Sequence, residues 1–303
     1  MPKMGLVLDE TERGRADEGP DHLFYQSPRL CLHADHESLG QLSKLYKQIV
    51  PDGGRVLDLC SSWVSHLPEG VKYAHVEGHG MNTAELWCNY ALDGFFKRDL
   101  NQENRVLPLD SKSMDAVLCC CGWQYLKYPE DIAREVGRVL VPGAPLVISF
   151  TDSCFPSKAL QGWIGRDNTA RKQLVSDCLK VCGFEAIKEK EIKCQIGGPS
   201  MSVVIGQAPS KPCHGQAKEM VEKQGTQGGP KIDASRLMGV LAAMPEAKQR
   251  WQARFYELTQ AAESLGIPRY GMPVLLTSAS ETEIREAMKY ITAVVLSYQC
   301  ANI

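Results

Sequence analysis

From residue 54 onward, short apolar runs alternate with stretches of helical periodicity, and this alternation restricts the chain to a mostly parallel α/β sheet. RVLDLC (55–60) and KYAHVEG (72–78) read as the first two strands. FFKRDL (95–100), MDAVLCCCG (114–122) and APLVISF (144–150) read as the next three. Between them, NTAELWCNYAL (82–92) reads as a helix capped by Asn82. PEDIAREVGRVL (129–140) is a second, with Ile132, Val136 and Val139 on one face and Pro142-Gly143 ending it. APLVISF is apolar almost throughout, as a strand covered on both faces is. A helix at about 168–182 leads to FEAIKEKEI (184–192) and MSVVIGQA (201–208), which the spacing predicts as a closing hairpin.

Composition then shifts. SKPCHGQAKEMVEKQGTQGGPK (210–231) is polar and rich in Gly, Gln and Lys, and it reads as a linker. Beyond it, Trp251, Phe255 and Leu258 repeat at helical spacing, as do Ile284, Met288, Ile291 and Val295 behind a Ser280/Glu283 capping box. Two or three such helices make little core of their own. They are expected to dock on the α/β domain, on each other, or in trans, through self-association or a protein partner.

A net charge of −2 gives no broad electrostatic reason to bind nucleic acid or an anionic membrane. No apolar run approaches the roughly 18 residues of a membrane-spanning helix. The acidic N-terminus is unlike a secretory or organellar targeting peptide, so the expected location is intracellular, the cytoplasm first and an organelle as the alternative. Twelve cysteines include no CxxC pair, which argues for reduced thiols rather than a disulfide framework or structural zinc.

In open α/β sheets, ligands bind beyond the carboxyl ends of the strands. The first strand is followed by Asp58-Leu59-Cys60-Ser61-Ser62-Trp63, the second by Gly78-His79-Gly80-Met81-Asn82. Asp99-Leu100-Asn101 follows the third and Gly122-Trp123-Gln124-Tyr125 the fourth. Such residues suit a flat heterocycle with a hydroxylated tail. Asp99 is placed to accept from an exocyclic amine, and Leu100 or Trp123 to flank a ring. Any one of these loops is ordinary; four at consecutive strand ends mark a ligand site.

RVLDLC, the spacing to Asp99-Leu100, LPLDSKSMDAVLC and EVGRVLVPGAPLVIS resemble the class I S-adenosylmethionine-dependent methyltransferases over about residues 50–208. FYQSPRLCLHAD (24–35), DLCSSWVSHLP (58–68), GHGMNTAEL (78–86) and SFTDSCFPSKA (149–159) further resemble an uncharacterised plant, algal and bacterial branch. The resemblance implies a Rossmann-like seven-stranded sheet and S-adenosyl-L-methionine as cofactor. The implied organisation is a cap segment at 1–45, the methyltransferase-like domain at 46–208, a linker at 209–232 and a helical appendage at 233–303.

It also implies cofactor contacts from Asp58, Cys60, Ser61, Ser62, Gly78, Gly80, Met81, Asn82, Asp99, Leu100 and Trp123. Two departures stand out. Ser61-Ser62-Trp63 occupies the stretch where the superfamily places Gly-x-Gly, and Gly80 falls where an acid normally holds the ribose, with Asn82 or Glu77 as substitutes. Ahead of the sheet, Tyr25, Arg29, His33 and Asp35 cluster, and His33 is the candidate general base or substrate anchor, with Tyr125 the second catalytic candidate. The expected function is methyl transfer to a small-molecule acceptor. A catalytically idle relative that works as a binding or scaffolding protein is the alternative.

Overall fold

The computed structural model describes residues 6–27, 29, 31–193 and 200–210. The appendage expected at 233–303, and the linker from residue 211, lie outside the described residues. In chain order the elements are α1 (Asp21–Phe24), α2 (His36–Ile49), β1 (Arg55–Asp58), β2 (His75–Gly80), α3 (Thr83–Cys88), β3 (Gly94–Lys97) and β4 (Ala116–Cys120). After a 3-10 turn at Trp123–Tyr125 come α4 (Pro129–Val139), β5 (Pro145–Phe150), α5 (Gln161–Ile164), α6 (Asn168–Val181), β6 (Glu185–Ile192) and β7 (Met201–Gln207). They form one seven-stranded sheet of order β3-β2-β1-β4-β5-β7-β6. The first five strands are parallel, and β7 runs antiparallel to β5 and β6. This is the Rossmann-like sheet the alternating pattern requires, with its closing hairpin.

Period-two alternation divides the core between two faces. Leu57, Val117, Cys119, Leu146 and Ile148 cluster with Ile132 and Val136 of α4 and with Val175 and Leu179 of α6. Their neighbours Val56, Ala116, Leu118 and Val147 cluster with Leu39, Leu42, Leu45 and Tyr46 of α2. Each large side chain so buried contributes about 1.5–3 kcal/mol. The second layer depends on α2, a helix the sequence reading did not single out. Asp35 caps it, its Oδ1 accepting from the Ser38 amide at 2.8 Å. The helix runs through residue 45, where a cap segment was expected to end.

Two buried charge clusters anchor the N-terminal segment across the sheet. Glu130 Oε1 accepts from the amides of Val7 and Leu8 and from Arg13 Nη2, while Arg13 Nη1 donates to the Lys127 carbonyl. Further on, Arg15 Nη1 reaches both oxygens of Asp21 at 2.9 Å, and Lys158 Nζ lies 3.2 Å from Asp21 Oδ1. Burial alone raises the Asp21 carboxyl, but hydrogen bonds from Arg15 and Asn101 hold it below the usual carboxylate range. Removing one member of such a cluster strands a buried charge. The segment is thereby fixed over the carboxyl ends of the strands.

Candidate functional site

A cavity of about 420 Å³ opens at the carboxyl ends of β1, β2 and β4, beneath the N-terminal segment. Its floor lies where β1 meets β4, the point at which strand order reverses. Asp58, Cys60, Ser61, Ser62, Gly80, Met81, Asn82, Asp99, Leu100, Tyr125 and His33 all line it.

The first-strand turn keeps a tight backbone without glycine. Cys60 has φ +58°, the left-handed conformation that ends β1 two residues before the sequence run does. The Cys60 amide donates to His79 Nδ1 at 3.2 Å, which places the imidazole proton on Nε2, facing the Arg98 carbonyl at 2.9 Å. One ring thus ties together the ends of β1, β2 and the segment after β3. Cys119 hydrogen-bonds Cys60 and holds its thiol below the usual range, despite burial. Asp58 is buried and accepts from Ser61 Oγ at 2.6 Å. Burial pushes its carboxyl up to about 7, against an ordinary 3.8.

The space for this turn comes from Gly80 at the end of β2 and Gly122 just beyond β4. A Cβ on Gly80 would lie 2.5 Å from the Ser61 carbonyl oxygen, and one on Gly122 would land on the Cβ of Cys60. The close approach of the serine loop therefore leaves no room for the acid the superfamily carries at position 80. Neither expected substitute supplies one. Glu77 pairs with His75 at 2.7 Å and does not line the cavity. Asn82 caps α3 through Oδ1 and donates to the carbonyls of Tyr25 and Gln26 through Nδ2.

Two further expectations are corrected. Trp123 is packed in the core with α4 and α5 residues instead of flanking the cavity, because the 3-10 turn points it inward and Tyr125 outward. Gly78 lies inside β2, where a Cβ would strike Leu92, and it does not line the cavity. At the third strand, Asp99 accepts from the Asn101 amide and from Gln102 Nε2, and Asn101 Nδ2 donates to Asp21 and to the Tyr125 carbonyl.

The cover is aromatic. Tyr125 stacks on Phe155, with centroids 5.8 Å apart, and its hydroxyl oxygen accepts from the Phe155 amide. Phe24 and His33 meet the same ring edge-on at 5.4 and 5.7 Å. Burial lowers the His33 imidazole, and burial with the neighbouring His33 takes His66 down to about 4. Asp35 does not orient His33; its Oδ1 is the cap of α2. Burial also raises the phenols of Tyr25 and Tyr125, so both remain protonated.

Several residues here escaped the sequence reading. Glu85 accepts from Ser62 Oγ at 2.6 Å and from the Arg29 amide at 2.7 Å, joining the serine loop to the cover. Asn89 donates to Ser61 Oγ, the Ser62 carbonyl and Ser65 Oγ. Their one sequence signal is the spacing Asn82, Glu85, Asn89, which sets three polar residues along one side of a short helix.

The arrangement fits an amino-acid nucleoside. The serine turn and Asp58 offer polar groups for an ammonium and carboxylate end, and Asp99, Leu100 and Asn101 offer an acceptor beside an apolar wall for a base. The family described as a methyltransferase domain matches residues 77–148. A malonyl-[acyl-carrier protein] O-methyltransferase of Marinomonas sp. (strain MWYL1) is 23% identical over 164 residues, 54% of each chain. The chain thus spans about half the length of that curated relative. Among solved structures, an S-adenosylmethionine-dependent methyltransferase of Thermotoga maritima is 18% identical, with a TM-score of 0.42 over 56% of this chain and 90% of that one. Another, of Aquifex aeolicus, is 16% identical, with a TM-score of 0.42 over 58% and 94%. The family match runs from β2 into β5, so over about a quarter of its length the chain is similar to the methyltransferase domain, and its strand order is that of a Rossmann-like sheet.

Proposed function

We propose that the chain transfers a methyl group from S-adenosyl-L-methionine to a small-molecule acceptor. The observation that carries this reading is the covered cavity at the β1/β4 switch point, floored by a buried carboxyl and a left-handed turn and roofed by aromatic rings. Its volume falls within the roughly 300–1,000 Å³ of small-ligand sites. The cofactor, when bound, supplies a methyl carbon made electrophilic by its sulfonium. Asp58, Ser61 and Ser62 hold the amino-acid end, and Asp99 and Leu100 hold the base. No carboxylate of β2 lines the cavity for the ribose, since Glu77 pairs with His75.

The cover then does two things. Phe155 and Tyr125 exclude water, and the acceptor is held in line with the methyl carbon, which is where most of the acceleration in such a transfer arises. The chemistry supplied there would be displacement at the methyl carbon, an acceptor lone pair forming the new bond and sulfur keeping the electron pair of the old one. His33, neutral because burial disfavours its charged form, takes the proton the acceptor loses. Enclosure under a segment held by Asn82 and Glu85 favours a small acceptor over a polymer.

Calorimetric titration with S-adenosylmethionine and S-adenosylhomocysteine tests this directly. Both are expected to bind, and Asp99→Ala to weaken binding about tenfold, the equivalent of one hydrogen bond of ~1.4 kcal/mol. No affinity at millimolar ligand would remove the reading.

A further inference from the structure

The cover holds a cation that no carboxylate among the described residues pairs with. Arg29 has its guanidinium 4.5 Å over the Phe24 ring and 5.2 Å over Phe155. Its Nη2 donates to the Phe24 carbonyl at 3.0 Å, while Nη1 is buried without a hydrogen-bond partner. The acid bonded to its backbone, Glu85, accepts from Ser62 Oγ and from the Arg29 amide. A buried guanidinium N–H left unpaired costs free energy that a ligand anion would recover. Arg29 lines the cavity, so such a ligand has access.

We propose that Arg29 receives the carboxylate of the methyl acceptor, which makes the acceptor class small organic acids. This rests on the methyl-transfer reading for the word acceptor, and on Arg29 alone for the anion. Its surroundings differ from those suited to the cofactor's own carboxylate. The guanidinium packs on Phe155, which follows β5 and stacks on Tyr125, whereas the polar turn suited to the amino-acid end is Ser61-Ser62 after β1. His33 meets the same Phe155 ring, so an acid anchored on Arg29 brings its reacting group toward the base. Charge argues for one carboxylate and against a phosphate dianion, since Asp58 and Glu85 line the same cavity.

The test uses the full-length chain and a panel of monocarboxylates from acetate to benzoate, each paired with its neutral amide. Affinities are read by calorimetry with and without saturating S-adenosylhomocysteine. At least one acid should bind at least about tenfold more tightly than its amide. Arg29→Gln should abolish that selectivity and leave S-adenosylhomocysteine affinity within about twofold. Arg29→Lys, which keeps the charge and a donor for the Phe24 carbonyl, should retain part of the selectivity and serves if the glutamine variant does not fold. Acids that bind no better than amides overturn the proposal. So does an Arg29 variant that loses S-adenosylhomocysteine affinity while keeping acid selectivity, because the guanidinium then holds the cofactor. Failure of S-adenosylhomocysteine to bind at all would remove the methyl-transfer reading, and the acid arm would still report on Arg29.

Discussion

Asp58→Asn isolates the electrostatic cost built into the floor of the cavity. The side chain is 4% exposed, and its carboxyl titrates near 7 against an ordinary 3.8. A folded-state value raised above the unfolded one means that the folded protein binds the proton more tightly. The group's contribution to stability is therefore complete below about pH 3.8 and is lost as pH rises through 7. At about 1.4 kcal/mol per unit, the loss is roughly 2 kcal/mol by pH 5.5 and roughly 4 kcal/mol by pH 8. Asparagine is nearly isosteric, still accepts from Ser61 Oγ, and never ionises.

Urea unfolding of the wild type and the variant, followed by circular dichroism at pH 5.5 and 8, compares the two directly. The variant should gain about 2 kcal/mol on the wild type between those pH values. Ionisable groups remote from Asp58 cancel in the difference. Parallel profiles would refute the claim that burial, rather than the Ser61 hydrogen bond, governs this carboxyl. Should the wild type also bind S-adenosylhomocysteine more tightly as pH approaches 7, and the variant not, the ionised Asp58 faces the ligand's ammonium.

The remaining predictions concern space. Gly80→Ala should cost about 1–3 kcal/mol, read as a fall in melting temperature of several degrees, because its Cβ meets the Ser61 carbonyl; an unchanged melting temperature would show that the loop yields freely. Gly122→Ala should destabilise by a similar ~1–3 kcal/mol. Adding Cys60→Gly should recover at least half of that loss, since it removes the atom struck, and a double-mutant cycle with additive effects would refute the coupling.

The sheet was legible because a parallel strand buried on both faces leaves an apolar run that little else in a soluble chain produces. Val117, Leu118, Leu146, Val147 and Ile148 are such residues, and each lies in the strand its run predicts. Strand ends were less legible. The sequence run 55–60 continues past Asp58, but the backbone turns left-handed at Cys60, and nothing in the identity of a cysteine announces a positive φ. Helix α2 had signals in Asp35 with Ser38 and in Leu39, Leu42 and Leu45, yet its partners Ala116, Leu118 and Val147 lie 71 or more residues beyond Leu45, and amphipathicity alone names no face to bury against.

The site shows why a motif mismatch misleads when read position by position. The superfamily's glycine loop is a statement about backbone path and free volume, and both survive here by redistribution. Cys60 adopts the left-handed turn itself, and the volume its side chain needs is vacated at Gly122, whose own φ of −115° makes no demand for glycine. Ser61 likewise brings its carbonyl toward β2 because position 80 carries no Cβ. The two departures are then sterically linked: a serine loop this close to β2 excludes a side chain at position 80. Carboxylates did not vanish from this wall. Glu85 stands five residues on, bonded to Ser62 and to the backbone of the cover, so the acid that borders the loop now holds the N-terminal segment in place. Closure of the cavity is thereby tied to the serine turn that we propose holds the cofactor's amino-acid end.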